Sequence, residues 1–315
     1  MPTVLITTDY LRPGDEADTY LNEHGFDTRH DPMRGVRRPD DLIAALAGVD
    51  GALIANEPMT EQVLAAAPTL RAVVRTGVGY DSIDVPAATR LGITVSNLPG
   101  INATAVAEYT IGLLLAQARR LVQVAAGVEA GAWPRQQGYE LSGKTVGLIG
   151  RGPVAQRVAP LAAAFGMTVL CTGDIPAARH TTLGELLHES DFVSIHTALT
   201  GRTRHLIDAA ALARMKPSAH LINTARGAIV DEPALAEAVR AGRIAGAALD
   251  VTEVEPLPAD SVLRGVDGIT VYSHLGGQTA EARRRSGLDG ARELAAALAG
   301  TPASAVNAHL IGKNA

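Results

Sequence analysis

Short apolar runs rich in β-branched residues alternate with alanine- and leucine-rich stretches along the chain, and this alternation restricts the fold more than any other feature of the sequence. The short runs predict strands and the longer stretches predict helices. Strands that are separated by helices pair in parallel, because a crossover helix returns the chain in the same direction. The pattern therefore predicts an α/β fold with doubly wound parallel sheets covered by helices.

The predicted strands form two series. The first comprises Thr3–Thr7, Gly51–Ala55, Ala72–Thr76 and Ile93–Ser96. The second comprises Thr145–Ile149, Met167–Cys171, Phe192–His196, His220–Thr224, Gly246–Asp250 and Ile269–Tyr272. Helical spacing marks Asp40–Ala47, Thr60–Ala67, a long segment Asn102–Val128 and a final stretch Thr279–Ala299. A length of 315 residues suits two domains of roughly 100–200 residues each. We predict a dinucleotide-binding domain at 99–286 and a second domain made of 1–98 plus 287–315.

Composition narrows the class of protein. The formal net charge is −5, so nothing favours nucleic acid or an anionic membrane as a partner. Cys171 is the single cysteine, which excludes an intrachain disulfide and fits a reducing compartment, so we predict a cytoplasmic protein. The first residues do not resemble a signal peptide, and no apolar run approaches the roughly 18–20 residues of a membrane span. We expect no metal.

A glycine-rich turn follows the first strand of the second series. In the segment KTVGLIGRGPVA, Gly150 and Gly152 permit a sharp turn and a close approach of the backbone to a pyrophosphate. The amides at the start of the next helix would then face the phosphates. Pro153 supplies no N–H, so Val154 would carry more of the contact. A single G-x-G-x-x-A match is weak, and a plain structural turn is the alternative.

The segment after the next strand contains a candidate residue for binding the adenosine ribose. An acidic residue about 20 positions beyond the turn holds the ribose hydroxyls in such domains. Asp174 lies at that distance, although a loop aspartate that caps a turn would look the same. No arginine follows immediately to bind a 2′-phosphate, and Arg179 is five residues further on. These residues favour NAD over NADP.

Seven stretches together resemble the D-isomer-specific 2-hydroxyacid dehydrogenases over essentially the whole length. They read VRTGVGYDSID at 74–84, VSNLPGINATAVAE at 95–108, TVGLIGRGPVA at 145–155, SDFVSIHTALTGRTRHLI at 190–207, LINTARGAIVD at 221–231, AALDVTEVEPLP at 247–258 and HLGGQTAEA at 274–282. The resemblance implies two unequal Rossmann-like domains, a flavodoxin-like substrate domain being one of them, with the active site in the cleft between them. It also implies a homodimer formed through the Asn102–Val128 region.

The resemblance assigns three catalytic residues. Arg226 stands in the N-[TS]-[AS]-R-G motif, Glu255 in the D-x-x-x-x-E-P motif and His274 in the H-x-[GA]-G motif. Reduction of a 2-oxo acid leaves charge on the carbonyl oxygen, which an imidazolium neutralises by giving up a proton. A neighbouring carboxylate favours the charged ring, and a guanidinium binds the substrate carboxylate in a bidentate way. Without the motifs, a strand-end histidine, a turn glutamate and a surface arginine paired with Asp231 are the alternatives.

The resemblance also implies binding residues. For the cofactor they are Gly150, Gly152, Pro153, Val154, Gly173, Asp174, His196, Thr203, Thr224, Ala225, Arg226, Asp250, His274, Gly276, Gly277 and Thr104. For the substrate they are Arg75, Val78, Gly79 and Asn56, together with Arg226 and His274. Two positions depart from the family pattern. Gly173 stands where many relatives have an aspartate, and Asn56 lies in a loop that carries an arginine in phosphoglycerate-type relatives.

We therefore predict an oxidoreductase that transfers a hydride between NAD(H) and a small D-2-hydroxy or 2-oxo acid. One alternative is a dinucleotide-sensing binding protein like the corepressors of this fold, since such proteins can keep all three catalytic residues. Another is a dehydrogenase specialised for a phosphonate or phosphite-type substrate. The sequence leaves the individual substrate open.

Overall fold

The structure is a computed structural model that describes residues 1–33 and 38–307. It divides into two compact units, residues 1–102 with the chain from Thr279 onward, and residues 103–278. The division lies at 102/103 and 278/279 instead of the predicted 98/99 and 286/287. The second boundary moves because 286/287 falls inside a continuous helix, Ala280–Leu298.

The first unit contains a five-stranded parallel sheet in the order β2-β1-β3-β4-β5. Its elements before the first crossing are β1 (Thr3–Ile6), α1 (Glu16–Glu23), β2 (Asp27–His30), α2 (Pro39–Leu46), β3 (Gly51–Ile54), α3 (Glu61–Ala65), β4 (Ala72–Arg75), α4 (Val85–Arg90) and β5 (Thr94–Ser96). Sequence reasoning missed α1, β2 and α4. Strand β2 reads DTRH and buries none of its residues, so it carries no apolar signal.

The second unit contains a seven-stranded parallel sheet in the order β12-β11-β10-β9-β6-β7-β8. Its elements are α5 (Ala103–Arg119), α6 (Leu121–Glu129), β6 (Thr145–Ile149), α7 (Pro153–Ala164), β7 (Thr168–Cys171), β8 (Arg179–His180), α8 (Leu183–Glu189), β9 (Phe192–Ile195), α9 (Ala209–Leu212), β10 (His220–Asn223), a 3-10 turn (Gly227–Ile229), α10 (Glu232–Arg240), β11 (Gly246–Leu249) and β12 (Ile269–Val271). The predicted six strands are present, and β8 is a short addition at one edge.

The helix predicted over Asn102–Val128 is wrong as a single element. Arg120 adopts a left-handed conformation, with φ +51°, and divides the segment into α5 and α6. No single helix in the described ranges is long and apolar enough to span a membrane. Helices α5 and α6 meet the length and composition test only as a pair bent by 64°.

The chain returns to the first unit as α11 (Ala280–Leu298), which packs on the sheet. A Cβ at Gly290 would lie 2.8 Å from Leu53 Cδ1, so the helix approaches the strand closely. The tail then covers the edge of β5, where Asn307 is fully buried. Its Oδ1 accepts a hydrogen bond from Val95 N at 2.9 Å and its Nδ2 donates to Ile93 O at 2.9 Å. The C-terminal segment thereby completes the first unit.

The topology of the second unit indicates where a ligand would bind. The chain runs from β6 outward to β7 and β8, and then returns to the other side of β6 as β9. In doubly wound sheets, ligands bind at the carboxyl ends of the strands next to this reversal. Gly150 directly follows β6, His196 follows β9, Thr224 follows β10 and Asp250 follows β11. The motif residues are thus brought to one edge of this sheet.

Candidate active site

The glycine turn has the geometry of a phosphate cradle. Gly150 has φ +112°, and a Cβ there would lie 2.4 Å from the carbonyl oxygen of His196, so only glycine fits. Gly152 is the N-cap of α7 and Pro153 is its first residue. No side chain in the described part of the chain accepts a hydrogen bond from Val154 N or Ala155 N. The first turn of a 12-residue helix therefore has donors and a positive dipole end available for a pyrophosphate.

The end of β7 differs from the usual acidic arrangement. Thr172 Oγ1 accepts a hydrogen bond from Gly150 N at 3.0 Å and ties this strand to the turn. Gly173 has no side chain, and a Cβ there would lie 2.3 Å from Cβ of Arg151. Asp174 is exposed. The first acidic side chain after β7 therefore projects one residue later than the family pattern expects.

The loop after β9 is held by its own side chains. His196 Nε2 lies 2.9 Å from Ser194 Oγ, and burial lowers the pKa of His196 to about 3, so the ring is neutral. Thr203 Oγ1 donates to Ala198 O at 2.7 Å and closes the loop. Sequence reasoning proposed both His196 and Thr203 as cofactor contacts. Their present bonds shape the loop, and direct contact with a cofactor stays a prediction.

Two further predicted threonines bond to helices of the same unit. Thr224 Oγ1 lies 3.3 Å from Thr110 Oγ1 on α5. Thr104, at the start of α5, accepts from Arg157 Nε at 3.1 Å. Helix α5 thus contacts both the loop after β10 and the helix that follows the glycine turn.

Asp250 fixes the turn that carries the candidate histidine. Its side chain is 2 % exposed, and its two carboxylate oxygens accept from Leu275 N at 2.7 Å and Gly276 N at 2.8 Å. Its backbone oxygen accepts from His274 N at 2.8 Å. These bonds hold His274 at φ +60°, a conformation that non-glycine residues seldom adopt. Asp250 is therefore a positioning residue, and the predicted contact with the cofactor stays untested.

Two half-buried tyrosines lie beside Asp250 and were missed by sequence reasoning. The rings of Tyr109 and Tyr272 meet edge to face with centroids 6.0 Å apart. Burial raises the pKa of the Tyr109 hydroxyl, and the negative charge of Asp250 raises it further. The same two causes raise the pKa of Tyr272. Both phenols therefore stay protonated, and they shield the carboxylate from water.

Glu255 and His274 form the pair that the motifs predicted. Glu255 Oε2 lies 2.8 Å from His274 Nδ1, and Glu255 Oε1 accepts from Thr252 N at 3.2 Å. Burial acts to raise the pKa of Glu255. The hydrogen bond and charge of His274 outweigh it, with smaller contributions from Thr252 N and Arg226, and the pKa is lowered. The carboxylate is thus ionised and holds one nitrogen of the imidazole.

Arg226 lies on a loop that packs against the loop of Glu255. Buried Asn223 accepts from Ala225 N at 3.0 Å and donates to Arg226 O at 2.9 Å, which fixes the backbone on both sides. A Cβ at Gly227 would lie 1.9 Å from the carbonyl carbon of Thr252. Only glycine allows the two loops to approach so closely. Asn223 and Gly227 flank the arginine in its motif, which was the sequence signal for their roles.

The first unit carries four of the predicted substrate contacts, Arg75, Asn56, Val78 and Gly79. Arg75 Nη2 donates to Asn56 Oδ1 at 2.5 Å, so the structure brings these two residues together. The Arg75 side chain folds over Gly77, where a Cβ would lie 1.7 Å from Nη1. Buried Asn97 donates to Val78 O at 2.6 Å and orders the loop that contains Val78 and Gly79. Asn97 was not among the predicted site residues.

Comparison with known proteins shows the family of the chain. The family described as D-isomer specific 2-hydroxyacid dehydrogenase, NAD binding domain, matches residues 111–276. The chain belongs to the D-isomer-specific 2-hydroxyacid dehydrogenases. A glyoxylate reductase of Thermofilum pendens is 39% identical to it over 300 residues, which are 90% of this chain and 86% of that protein. The chain spans about half the length of the D-3-phosphoglycerate dehydrogenase of Mycobacterium leprae, to which it is 43% identical over 281 residues, 85% of this chain and 53% of that protein.

Solved structures of other enzymes share the fold. An NAD-dependent formate dehydrogenase from Staphylococcus aureus in complex with NAD has a TM-score of 0.83 and 30% identity, with 96% of this chain and 97% of that chain covered. An acyclic imino acid reductase in complex with NADPH and D-Arg has a TM-score of 0.86 and 27% identity, with 96% and 99% covered. The chain is accordingly an NAD-linked D-2-hydroxyacid dehydrogenase.

Proposed function

We propose that this dehydrogenase reduces a small 2-oxo acid to the D-2-hydroxy acid, with His274 as the proton donor, Glu255 as its partner and Arg226 as the substrate-binding cation. The observation that carries the proposal is the 2.8 Å contact between Glu255 Oε2 and His274 Nδ1. When bound, NADH supplies the hydride that forms the new C–H bond. The protein has to supply the proton and hold the acid in place.

The pairing determines which nitrogen exchanges the proton. Nδ1 of His274 is engaged by Glu255, so Nε2 is the atom that gives a proton to the carbonyl oxygen in reduction. The lowered pKa of Glu255 keeps its carboxylate ionised beside the imidazolium. In oxidation the neutral ring takes the proton from the hydroxyl group. The balance is one 2-oxo acid, one NADH and one proton converted to one 2-hydroxy acid and NAD⁺.

Arg226 is proposed to bind the carboxylate of the substrate. Its backbone is fixed by Asn223 on one side and by the tight contact at Gly227 on the other. A guanidinium on a fixed backbone can hold a carboxylate through two parallel hydrogen bonds. Arg75 and the amides of Val78 and Gly79 are proposed as further contacts to the acid, with Asn56 positioning Arg75 through their 2.5 Å bond.

We propose glyoxylate and its small 2-oxo homologues as substrates, since a glyoxylate reductase is among the relatives. The two alternatives from the sequence are not favoured. The relatives reported above are enzymes, which disfavours a pure dinucleotide sensor. The family's 2-hydroxyacid chemistry disfavours a phosphonate or phosphite-type substrate.

We further propose a cytoplasmic homodimer that forms through α5 and α6. Helix α6 reads LVQVAAGVE and buries none of its residues, and the side chain of Trp133 is 81% exposed. Burial of such apolar side chains against a partner subunit is favourable, because it removes apolar surface from water. Light scattering of the purified chain should give twice the mass of 32.6 kDa. A monomer at micromolar concentration would contradict the dimer without affecting the catalytic assignment.

The catalytic proposal is tested with a panel of 2-oxo acids and NADH, followed at 340 nm. We expect turnover with at least one acid, and His274→Asn should lower kcat by about 10²–10⁴-fold, the range of general acid–base catalysis. His188→Asn is the matched control, because His188 is exposed on α8. Cofactor binding measured by calorimetry should be similar in both variants. A kcat for His274→Asn within a few-fold of the unsubstituted enzyme would refute the role of His274.

A further inference from the structure

Arg151 occupies an unusual place at the adenosine end of the proposed cofactor site. It stands between the two glycines of the turn, and its stem crosses the end of β7. A Cβ at Gly173 would lie 2.3 Å from Cβ of Arg151, and 3.0 Å from both its Cγ and its Cδ. The absence of a side chain at Gly173 is therefore what leaves space for the arginine.

The guanidinium of Arg151 has no carboxylate partner among the described residues. Gln156 bonds only to the backbone oxygen of Arg151, and Asp174, the neighbour of Gly173, forms no ion pair with the guanidinium. Arg179, which the sequence offered as the other candidate cation, is paired with exposed Glu189 at 2.5 Å. Of these two arginines, Arg151 is the one whose charge stays available to a ligand.

The position of Arg151 defines the ligand chemistry. The residue at the end of the second strand in a dinucleotide-binding unit contacts the adenosine ribose. An acidic side chain there accepts hydrogen bonds from the ribose hydroxyls and repels a 2′-phosphate. This chain instead has a glycine covered by an arginine, and arginine binds phosphate oxygens in a bidentate way.

We propose that Arg151 recognises the 2′-phosphate of NADP(H), so that the enzyme uses NADPH as well as NADH. The proposal rests on the glycine turn as the dinucleotide site, and it does not depend on the identity of the substrate. The structural relative that was solved with NADPH shows that this fold accommodates that cofactor. Asp174 is the opposing group, because its exposed carboxylate lies next to Gly173 and disfavours a phosphate there.

The test measures binding of adenosine fragments to the full chain by calorimetry, which needs no turnover. The probes are adenosine 2′,5′-bisphosphate and adenosine 5′-monophosphate, followed by NADPH and NADH. Arg151→Ala should weaken the bisphosphate by about tenfold or more, the effect of losing a hydrogen bond to a charged group, and the monophosphate much less. Asp174→Asn should have the opposite effect and raise the affinity for the bisphosphate relative to that for the monophosphate.

Arg179→Ala is the matched control, since it removes a second exposed arginine, which lies on the outer strand β8 and is paired with Glu189. We expect it to leave the ratio of the two affinities unchanged. An unchanged ratio in Arg151→Ala, or a bisphosphate that binds no tighter than the monophosphate to the unsubstituted chain, would overturn the proposal. If neither fragment bound to the unsubstituted chain, the result would instead contradict the glycine turn as the dinucleotide site.

Discussion

Substitution of Gly227 by alanine should separate the loop of Arg226 from the loop of Glu255, which carry two of the proposed catalytic side chains. The new Cβ would lie 1.9 Å from the Thr252 carbonyl carbon and 2.2 Å from Glu253 N, whereas ordinary contacts begin at 3.4 Å. All the nearest atoms belong to the backbone, so no side chain can rotate away. The loop of Arg226 therefore has to move by about 1.5 Å relative to the loop of Glu255, and a displacement of about 1 Å can cost 10²-fold in rate. We expect kcat/KM to fall by about 100-fold and the free energy of unfolding by about 1–3 kcal/mol.

The assay is NADH oxidation at 340 nm, well below the melting temperature of the variant. The control is Gly201→Ala, because a Cβ at Gly201 meets nothing within 4 Å and its φ is not in the left-handed region. It should keep kcat/KM and Tm close to those of the unsubstituted enzyme. If Gly227→Ala retains kcat/KM within about threefold, then close packing of these loops does not set the geometry of the catalytic side chains.

Three further predictions concern single side chains. Glu255→Gln should lower kcat by about 10–100-fold at neutral pH, and because the Glu255 pKa is lowered, the difference should shrink only in acid, where the carboxyl of the unsubstituted enzyme becomes protonated, as a pH–rate profile would show. Asp18→Asn should lower Tm at pH 7, because burial is outweighed by hydrogen bonds from His30, Thr28 and Gly14 that lower the pKa of Asp18. The difference in Tm should shrink as the pH falls through that lowered pKa, because the carboxyl is then protonated in the folded state as well. Asn307→Ala should cost about 2–3 kcal/mol in urea unfolding, since it leaves Val95 N and Ile93 O unpaired, whereas exposed Asn22→Ala should cost less than 1 kcal/mol.

The buried strands were predictable because their sequences are dominated by apolar side chains. All six strands predicted for the second unit are present, and most are one residue shorter than predicted at one end. Strand β2 was not predictable from pattern, because DTRH has no apolar residue and its place depends on pairing with β1. The break in the helix at Arg120 was equally hidden, since no glycine or proline marks it.

The side chains proposed as catalytic were identified from motifs, whereas the residues that support them were less predictable. Glu255 and His274 lie 19 positions apart, and the motifs predicted their pairing without showing what positions them. That support comes from Asp250, whose carboxylate holds two amides of the turn, while its predicted contact with the cofactor stays a prediction. A strand-end aspartate is compatible with either role, and only the fold shows which backbone groups are within reach.

The arginine proposed to bind phosphate does not follow β7 in the chain, where the sequence analysis expected such a residue. Residues that determine cofactor specificity usually follow that strand. Parallel pairing of β6 with β7 brings the ends of both strands side by side, so a residue of the glycine turn reaches the same place from 22 positions earlier than Gly173. The missing side chain at Gly173 and the arginine in the turn are thus one feature. In the sequence alone, Gly173 looks only like the loss of the ribose-binding acid, and Arg151 looks like an ordinary residue between two glycines. Their contact is visible only in the fold.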